Sequence, residues 1–464
     1  MCGIVGYVGY DEAAGKIIEG LKKLEYRGYD SSGIAILSDK GIELNKCKGE
    51  IKNLENMIAG RVPSGTCGIG HTRWATHGAP SDVNSHPHMD QSGRVALVHN
   101  GIVENYVELK EALINEHGIK FKSETDSEVI AQLVGVKYNA NGGDLEKAVY
   151  DATKEMRGTY AIGVIAEDTP NKIVAYRKEA PLIAGLGKKS NFIASDIPAL
   201  LKYTNDIFLI ENDEMVICTP DSITIKDKDG KEVKREAMKI TWSVEDAEKG
   251  GYEHFMLKEI NEQPKVVAET LNRRIDEDGK IKLDGINLTK EELDKYNKIY
   301  IVACGTAYHA GLVGKYVIEK MAGIAVEVDV ASEFRYRDPF IDEKTLFIAI
   351  SQSGETLDTL MSLRLAKEKG ARVLSVVNVV GSSIARESDD VFYTWAGPEI
   401  AVASTKAYTT QLVCMYLIAL YLGDIRGTLT DEYRKFILEE LQQIPEKIQE
   451  ILEEAPYTRL RFSL

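Results

Sequence analysis

Met1-Cys2-Gly3-Ile4-Val5-Gly6-Tyr7-Val8-Gly9 opens the chain. Removal of Met1 makes Cys2 the first residue, and its thiol and free α-amine then share one carbon skeleton. The α-amine titrates near pH ~8 and a free thiol near ~8.5, so at neutral pH the amine can take the thiol proton directly or through one water. Retention of Met1 removes that base. The apolar run Ile4 to Val8, edged by glycines, predicts a buried strand that fixes the terminus inside the fold. On this stretch alone, the alternative is a small buried cysteine that merely follows Met1.

Around that opening lies a chain of 464 residues, 44% apolar and 28% charged, which predicts a soluble protein of two or three domains at about 150 residues each. The net charge of −15 is spread without a basic block and argues against nucleic acid or an anionic membrane as partner. Small molecules are the expected ligands. The six cysteines (Cys2, Cys47, Cys67, Cys218, Cys304, Cys414) show no CxxC pair, which suits a reducing compartment, and no signal peptide is legible, so a cytoplasmic protein is expected. The longest apolar run, Leu412 to Leu422, is short for a bilayer and reads as a buried core helix.

Four further stretches of the first half carry chemistry. Asp11 to Glu25 has helical spacing of Ile17, Ile18, Leu21 and Leu24, then stops at Tyr26-Arg27-Gly28-Tyr29-Asp30-Ser31-Ser32-Gly33, before a strand at Ile34 to Leu37. Arg27 is either a charge complementing the helix dipole or a site residue. Gly68 to Gly78 and Asn84 to His88 gather His71, Arg73, Trp74, His77, His86 and His88. Read as metal ligands with Cys67, these histidines match no standard zinc spacing, and a carboxylate-binding fork is the better use of Arg73. Val95 to Gly101 is an apolar strand running into Asn100-Gly101, whose amide and backbone N–H suit a developing oxyanion but also suit a hairpin turn. Asp126, ahead of Val129-Ile130, is a helix cap or an anchor for a substrate ammonium. Together Cys2, Arg73, Asn100-Gly101 and Asp126 describe an α-amino acid substrate with a reactive side-chain carbonyl.

MCGIVGYVG, LEYRGYDSSG, HTRWATHG, NSHPH, VHNGIVEN and SETDSE, in this order, resemble the glutaminase domain of the glutamine–fructose-6-phosphate aminotransferase family, class II amidotransferases of the N-terminal-nucleophile hydrolases. The resemblance covers roughly residues 1–240. It implies a four-layer αββα sandwich, Cys2 as nucleophile, and Asn100 with Gly101 as oxyanion hole. Arg73, Thr76, His77 and Asp126 would line the glutamine pocket, with Trp74 gating the ammonia exit.

The composition turns polar from about Ile225, in a hairpin followed by a linker at Trp242 to Gly251, and His254 to Asn272 has helical periodicity. Strands are predicted at Lys298 to Ala303, Val326 to Val330, Leu346 to Ile350, Val373 to Val377 and Val391 to Trp395. Helices are predicted at Tyr308 to Met321 and Leu357 to Lys369. The alternation implies a doubly wound parallel sheet, and hence an α/β fold overall. Its ligands belong at the carboxyl ends of the strands. Ser351-Gln352-Ser353-Gly354-Glu355-Thr356 offers hydroxyls and backbone N–H groups to a phosphate, or is only a polar loop before a capped helix. Neither a P-loop nor a dinucleotide fingerprint is present.

ACGTAYHAG, ASEFRYRDP, SQSGETLDTL and EIAVASTKAYTTQL resemble the first sugar-isomerase (SIS) module of the same family, over about residues 285–424. The resemblance implies that Thr306, Ser351, Gln352, Ser353 and Thr356 hold fructose 6-phosphate, with Val402 and Ser404 lining the pocket. Ala307 stands where some members carry serine, and Cys304 is expected to be buried. The expected layout is a glutaminase domain over 1–240, a linker and helical segment over 241–284, the SIS domain over 285–424 and an amphipathic tail over 425–464. Tyr433, Ile437, Leu441, Ile444, Ile448 and Ile451 form the apolar face of that tail. Nothing resembles the family's second SIS module, so the chain reads as an N-terminal piece that keeps glutaminase activity and sugar-phosphate binding. The resemblance implies glutamine and fructose 6-phosphate as substrates, a homodimer for the complete enzyme, and neither cofactor nor metal. Two other readings remain. An amidophosphoribosyltransferase would need an acidic pyrophosphate loop, which SQSGET is not, and a non-catalytic sugar-phosphate sensor would leave Cys2 unreactive.

Overall fold

The opening run forms β1 (Gly3–Gly9), buried along its whole length because a helix covers one face and a second sheet the other. The computed structural model describes residues 2–25, 28–75, 77–240, 249–275, 280–283, 285–286 and 288–458, in two compact units, Met1–Ala247 and Glu248–Leu464. Arg27, Thr76 and most of the expected linker lie outside the described residues.

In the first unit β1 leads to α1 (Ala13–Leu24), β2 (Ser31–Ser38), β3 (Gly41–Lys48), α2 (Ile51–Ile58), β4 (Cys67–Arg73), β5 (His88–Met89) and β6 (Val95–Val103). The helices α3 (Tyr106–His117), α4 (Asp126–Ala140) and α5 (Leu145–Glu155) follow. The chain then returns to strands: β7 (Gly158–Ala166), β8 (Ile173–Lys178), β9 (Ile183–Leu186), β10 (Ser190–Ala194), β11 (Asp206–Leu209), β12 (Glu214–Cys218), β13 (Ile223–Lys226) and β14 (Met238–Lys239). One sheet runs β14-β11-β9-β10-β1-β4-β2-β3 and the other β13-β12-β8-β7-β6-β5. Ile4, Val8 and Ile193 of the first meet Ala96, Val98 and Val216 of the second in a shared core. Ile17, Ile18, Leu21 and Leu24 are buried as their spacing requires, and α1 and α2 lie on the outer face of the first sheet. The outer face of the second is covered by α3, α4 and α5. This is the αββα sandwich.

In the second unit α6 (Phe255–Asn272) and α7 (Lys290–Leu293) precede β15 (Lys298–Ala303), α8 (Gly305–Ala322), β16 (Ala325–Val330), α9 (Ala331–Phe334) and β17 (Thr345–Ser351). Then come α10 (Leu357–Glu368), β18 (Arg372–Val377), α11 (Ser383–Glu387), β19 (Asp390–Tyr393), α12 (Lys406–Arg426) and α13 (Asp431–Thr458). The strands are all parallel in the order β16-β15-β17-β18-β19. The chain steps outward from β15 to β16 and then back across to β17, which places a switch point between the loops after β15 and β17.

Of two expectations about the end of the chain, the buried core helix holds and the apolar face of the tail needs correction. The run Leu412 to Leu422 belongs to the longer α12, which by length and composition alone is apolar enough to cross a bilayer. Val413, Cys414, Met415, Leu417, Ile418, Leu420 and Leu422 are buried against α6 and α8 in the core of the unit. In α13, Leu441 is buried and Tyr433, Ile437, Ile444 and Ile448 are partly buried, but Ile451 is 68% exposed because the packed stripe ends a turn earlier.

Candidate active site

Strands β1 and β4 pair antiparallel with Gly3 opposite Thr72, so Cys2 falls at the level of Arg73, the last residue of β4, next to Trp74. The Trp74 N–H donates to Cys2 Sγ at 3.3 Å, and the thiol lies 3.5 Å from the Trp74 carbonyl. Burial pushes the Cys2 thiol up, and the Trp74 contact and the Arg73 charge work against that shift. Asp30 holds the exit of β4, since its N–H donates to the Arg73 carbonyl (3.0 Å) and its Oδ2 accepts from the Ala75 N–H (2.9 Å).

Asn100 and Gly101 are strand residues of β6, paired with Ala161 and Tyr160, and the alternative of a hairpin turn falls. Gly101 has φ +121°, and a Cβ there would stand 2.0 Å from the Thr159 carbonyl oxygen, so no side chain fits. Asn100 Nδ2 donates across the sandwich to the Cys2 carbonyl (3.2 Å) and to Ser195 Oγ (2.8 Å), while Asn100 Oδ1 sits 2.9 Å from His71 Nε2.

Arg73 is buried, with Nη2 donating to the carbonyls of His77 and Gly78 and Nη1 without a partner. That buried, unsatisfied donor suits a carboxylate. The cap of α4 is Thr125, whose hydroxyl accepts from the Glu128 N–H, so Asp126 is not a cap. Asp126 is instead the first helical residue, buried, and its Oδ2 accepts from the Val103 N–H at 3.0 Å. Trp74 is 42% exposed and meets Tyr29 edge-on, and His77 meets Tyr106 likewise. Cys2 is thus in direct contact with both Trp74 and Asn100, Arg73 touches His77, and Asp126 is tied to the strand that carries Asn100. Ser195 joins this site without any motif that marks it, and Asp30, within LEYRGYDSSG, joins it with no role assigned to it from the sequence.

The other histidines do not converge as ligands. His71 stacks on His86 at 4.1 Å, and His86 lies against His88 and, further off, His99. Burial holds His71 down to about 3 and pushes His86, His88 and His99 below the ordinary imidazole value. A folded pKa below the unfolded value means the unfolded chain binds protons more tightly. Stability is therefore retained above about pH 6.5 and lost as pH falls through it, by up to about 1.4 kcal/mol per pH unit for each histidine. Urea unfolding of the first unit at pH 7, 6 and 5 is expected to show this steep loss, and a flat profile would contradict neutral buried imidazoles.

In the second unit Ser351 ends β17 and its Oγ accepts from the Gly354 N–H (3.0 Å) and meets Thr356 Oγ1 (3.1 Å). Ser353 Oγ accepts from the Glu355 N–H at 3.2 Å. Gln352 and Thr356 are half-buried, and Thr306, at the start of α8, is exposed. Ser404 Oγ donates to Glu399 (2.8 Å), whereas Val402 is 76% exposed. Ala307 is buried, and Cys304 is half-buried rather than buried, since it stands at the exposed start of α8. Gly354 has φ +64° and a Cβ there would stand 1.9 Å from Ser382 Oγ. Gly354→Ala is expected to cost about 1–2 kcal/mol for the left-handed backbone and to displace the loop from Ser382 as well. Calorimetry should show the lower melting temperature that follows.

An αββα sandwich with a thiol beside the end of β4, followed by a separate parallel sheet with a hydroxyl-rich loop, is the arrangement of a glutamine amidotransferase domain joined to a sugar-isomerase unit. The family model described as a glutamine amidotransferase domain matches residues 71–202, and that of the SIS domain matches 292–421. The chain is 59% identical over 453 residues to a glutamine–fructose-6-phosphate aminotransferase (isomerizing) of Clostridium tetani, covering 98% of this chain and 74% of that protein. A protein of the same name from Clostridium perfringens is 58% identical, over 97% of this chain and 73% of that one. The chain belongs to the glutamine–fructose-6-phosphate aminotransferase (isomerizing) family. Among solved structures, the C-terminal domain of glucosamine-fructose-6-phosphate aminotransferase from Francisella tularensis is 45% identical over 45% of this chain and 58% of that chain, with a TM-score of 0.43.

Proposed function

We propose that this chain hydrolyses glutamine through Cys2 and, as its relatives' name describes, serves transfer of the released ammonia to fructose 6-phosphate, giving glucosamine 6-phosphate. The observation that carries the hydrolytic half is the Asn100 amide at 3.2 Å from the Cys2 carbonyl, beside the thiol. With Met1 removed, the α-amine of Cys2 takes the thiol proton and the sulfur attacks the side-chain carbonyl of glutamine. The carbonyl electrons move onto oxygen, where the Gly101 N–H and the Asn100 amide, which exchanges its hydrogen bond to the Cys2 carbonyl for one to the oxyanion, stabilise them. Collapse of that intermediate breaks the C–N bond, and the amine returns its proton to the leaving ammonia. Water then attacks the thioester, releasing glutamate and restoring the thiol.

In this reading Arg73 pairs with the glutamine carboxylate and Asp126 with its ammonium, while Thr76, His77 and Trp74 close the pocket. Thr306, Ser351, Gln352, Ser353 and Thr356 hold fructose 6-phosphate, with Val402 and Ser404 beside it. The loop's hydroxyls lie at the carboxyl end of β17, where a doubly wound sheet receives its ligand. The layout of a glutaminase domain, a linker and an SIS domain belongs to the same reading, as does a homodimer for the complete enzyme. All six cysteines are free, which supports a reducing compartment and hence the cytoplasm.

The test is to give the purified protein glutamine and fructose 6-phosphate, follow glutamate and hexosamine phosphate, and weigh its N-terminus. Glutamate release from a chain that begins at Cys2 is expected. A fully active chain that retains Met1 would overturn the amine as base.

A further inference from the structure

His71 lies outside the set of glutamine-contacting groups, yet it is fully buried and its Nε2 is 2.9 Å from Asn100 Oδ1. The partners of Asn100 determine which end of its amide faces which way. The Cys2 carbonyl can only accept, so the Asn100 atom at 3.2 Å from it is the nitrogen. Ser195 Oγ already accepts from the Ile4 N–H at 2.8 Å, and it accepts the second hydrogen of the same amide nitrogen. The amide oxygen is left facing His71, and an oxygen there requires a hydrogen on Nε2.

The neutral ring then has a bare Nδ1, which is buried and makes no hydrogen bond of normal geometry, while the nearby His99 backbone carbonyl competes with Asn100 for the ring proton. The ring is held in place by stacking on His86, 14° from parallel. We propose that His71 is a positioning residue for glutamine hydrolysis: its Nε2–H locks the Asn100 amide with the nitrogen, not the oxygen, toward Cys2. The inference rests on the reading of Asn100 as an oxyanion donor. An amide free to turn would present its oxygen to the developing negative charge and leave that oxygen without a donor when it faces inward.

The experiment compares His71→Phe, which keeps an aromatic ring against His86 but has no N–H, with His71→Gln, which can still donate. Each is made alone and with Asn100→Ala. His71→Phe is expected to lower kcat for glutamine hydrolysis by about tenfold to a hundredfold, with KM changed by less than about threefold. His71→Gln should recover most of the loss, and adding His71→Phe to Asn100→Ala should slow the enzyme no further. Alkylation of Cys2 by iodoacetamide, a displacement that builds no oxyanion on the attacked carbon, should proceed at the unaltered rate in the two single His71 variants.

A wild-type rate in folded His71→Phe, beside an Asn100→Ala enzyme that is slow, overturns the positioning role alone. An Asn100→Ala enzyme at the wild-type rate overturns the oxyanion reading beneath it. Should His71→Phe not fold, nitrogen-15 spectra of the unaltered protein decide. A proton on Nε2 at pH 7 is expected, and one on Nδ1 instead sinks the proposal.

Discussion

Cys2→Ala is expected to abolish release of glutamate from glutamine while leaving the melting temperature nearly unchanged. Among the described residues the sulfur makes two hydrogen bonds, both with the Trp74 backbone, at 3.3 and 3.5 Å. Losing them costs on the order of 1 kcal/mol or less. The strand that carries the residue is held elsewhere, by pairing of β1 with β4 and β10 on either side. Cys67 and Cys218 are fully buried, and burial pushes the Cys67 thiol up to about 12 and that of Cys218 further up. The measurement is glutamate release by desalted protein, with circular dichroism to confirm the fold. More than a trace of activity in the variant would remove Cys2 from the chemistry.

What the sequence made legible divides along a physical line. The parallel sheet of the second unit was readable almost element by element, because each of its strands must be followed by a crossover before the next, and the apolar period changes at each step. The first unit is an antiparallel sandwich whose decisive pairings are distant in sequence. Ser195 touches Ile4 and Asn100 from far along the chain, and a single serine after a strand carries no local signal of that. Asn100-Gly101 is ambiguous on its own, since the dipeptide that turns a hairpin also tolerates the φ of +121° that a strand requires beside Thr159. Only the pairing of β6 with β7 decides between them. Asp126 shows the same limit at shorter range. Thr125 and Asp126 are both good caps by type, and the helix takes Thr125, which leaves the carboxylate to the Val103 N–H. The exposure of Ile451 was not legible either, because periodicity marks an apolar face without saying where its covering ends.

Asn100→Ala carries the second large expected effect, a fall in kcat of ~10²–10³, or about 2.7–4 kcal/mol of lost transition-state stabilisation, with a smaller change in KM. The split follows from when the interaction is made. The carbonyl of bound glutamine is a modest acceptor, and only when sulfur adds to it does a full charge develop for the amide to meet. Arg73 and Asp126, which this reading assigns to the two charged ends of the substrate, are untouched by the change, so ground-state binding should persist. The same substitution also strips a partner from His71 Nε2 and one from Ser195 Oγ, both buried. A loss of stability of about 1–3 kcal/mol is therefore expected as well. The kinetic comparison is made at a temperature where urea titration shows the variant fully folded, so that a smaller native fraction is not mistaken for slower chemistry. Unchanged turnover under those conditions would mean that the Asn100 amide only ties the facing sheets together, and that the oxyanion is met by some other donor.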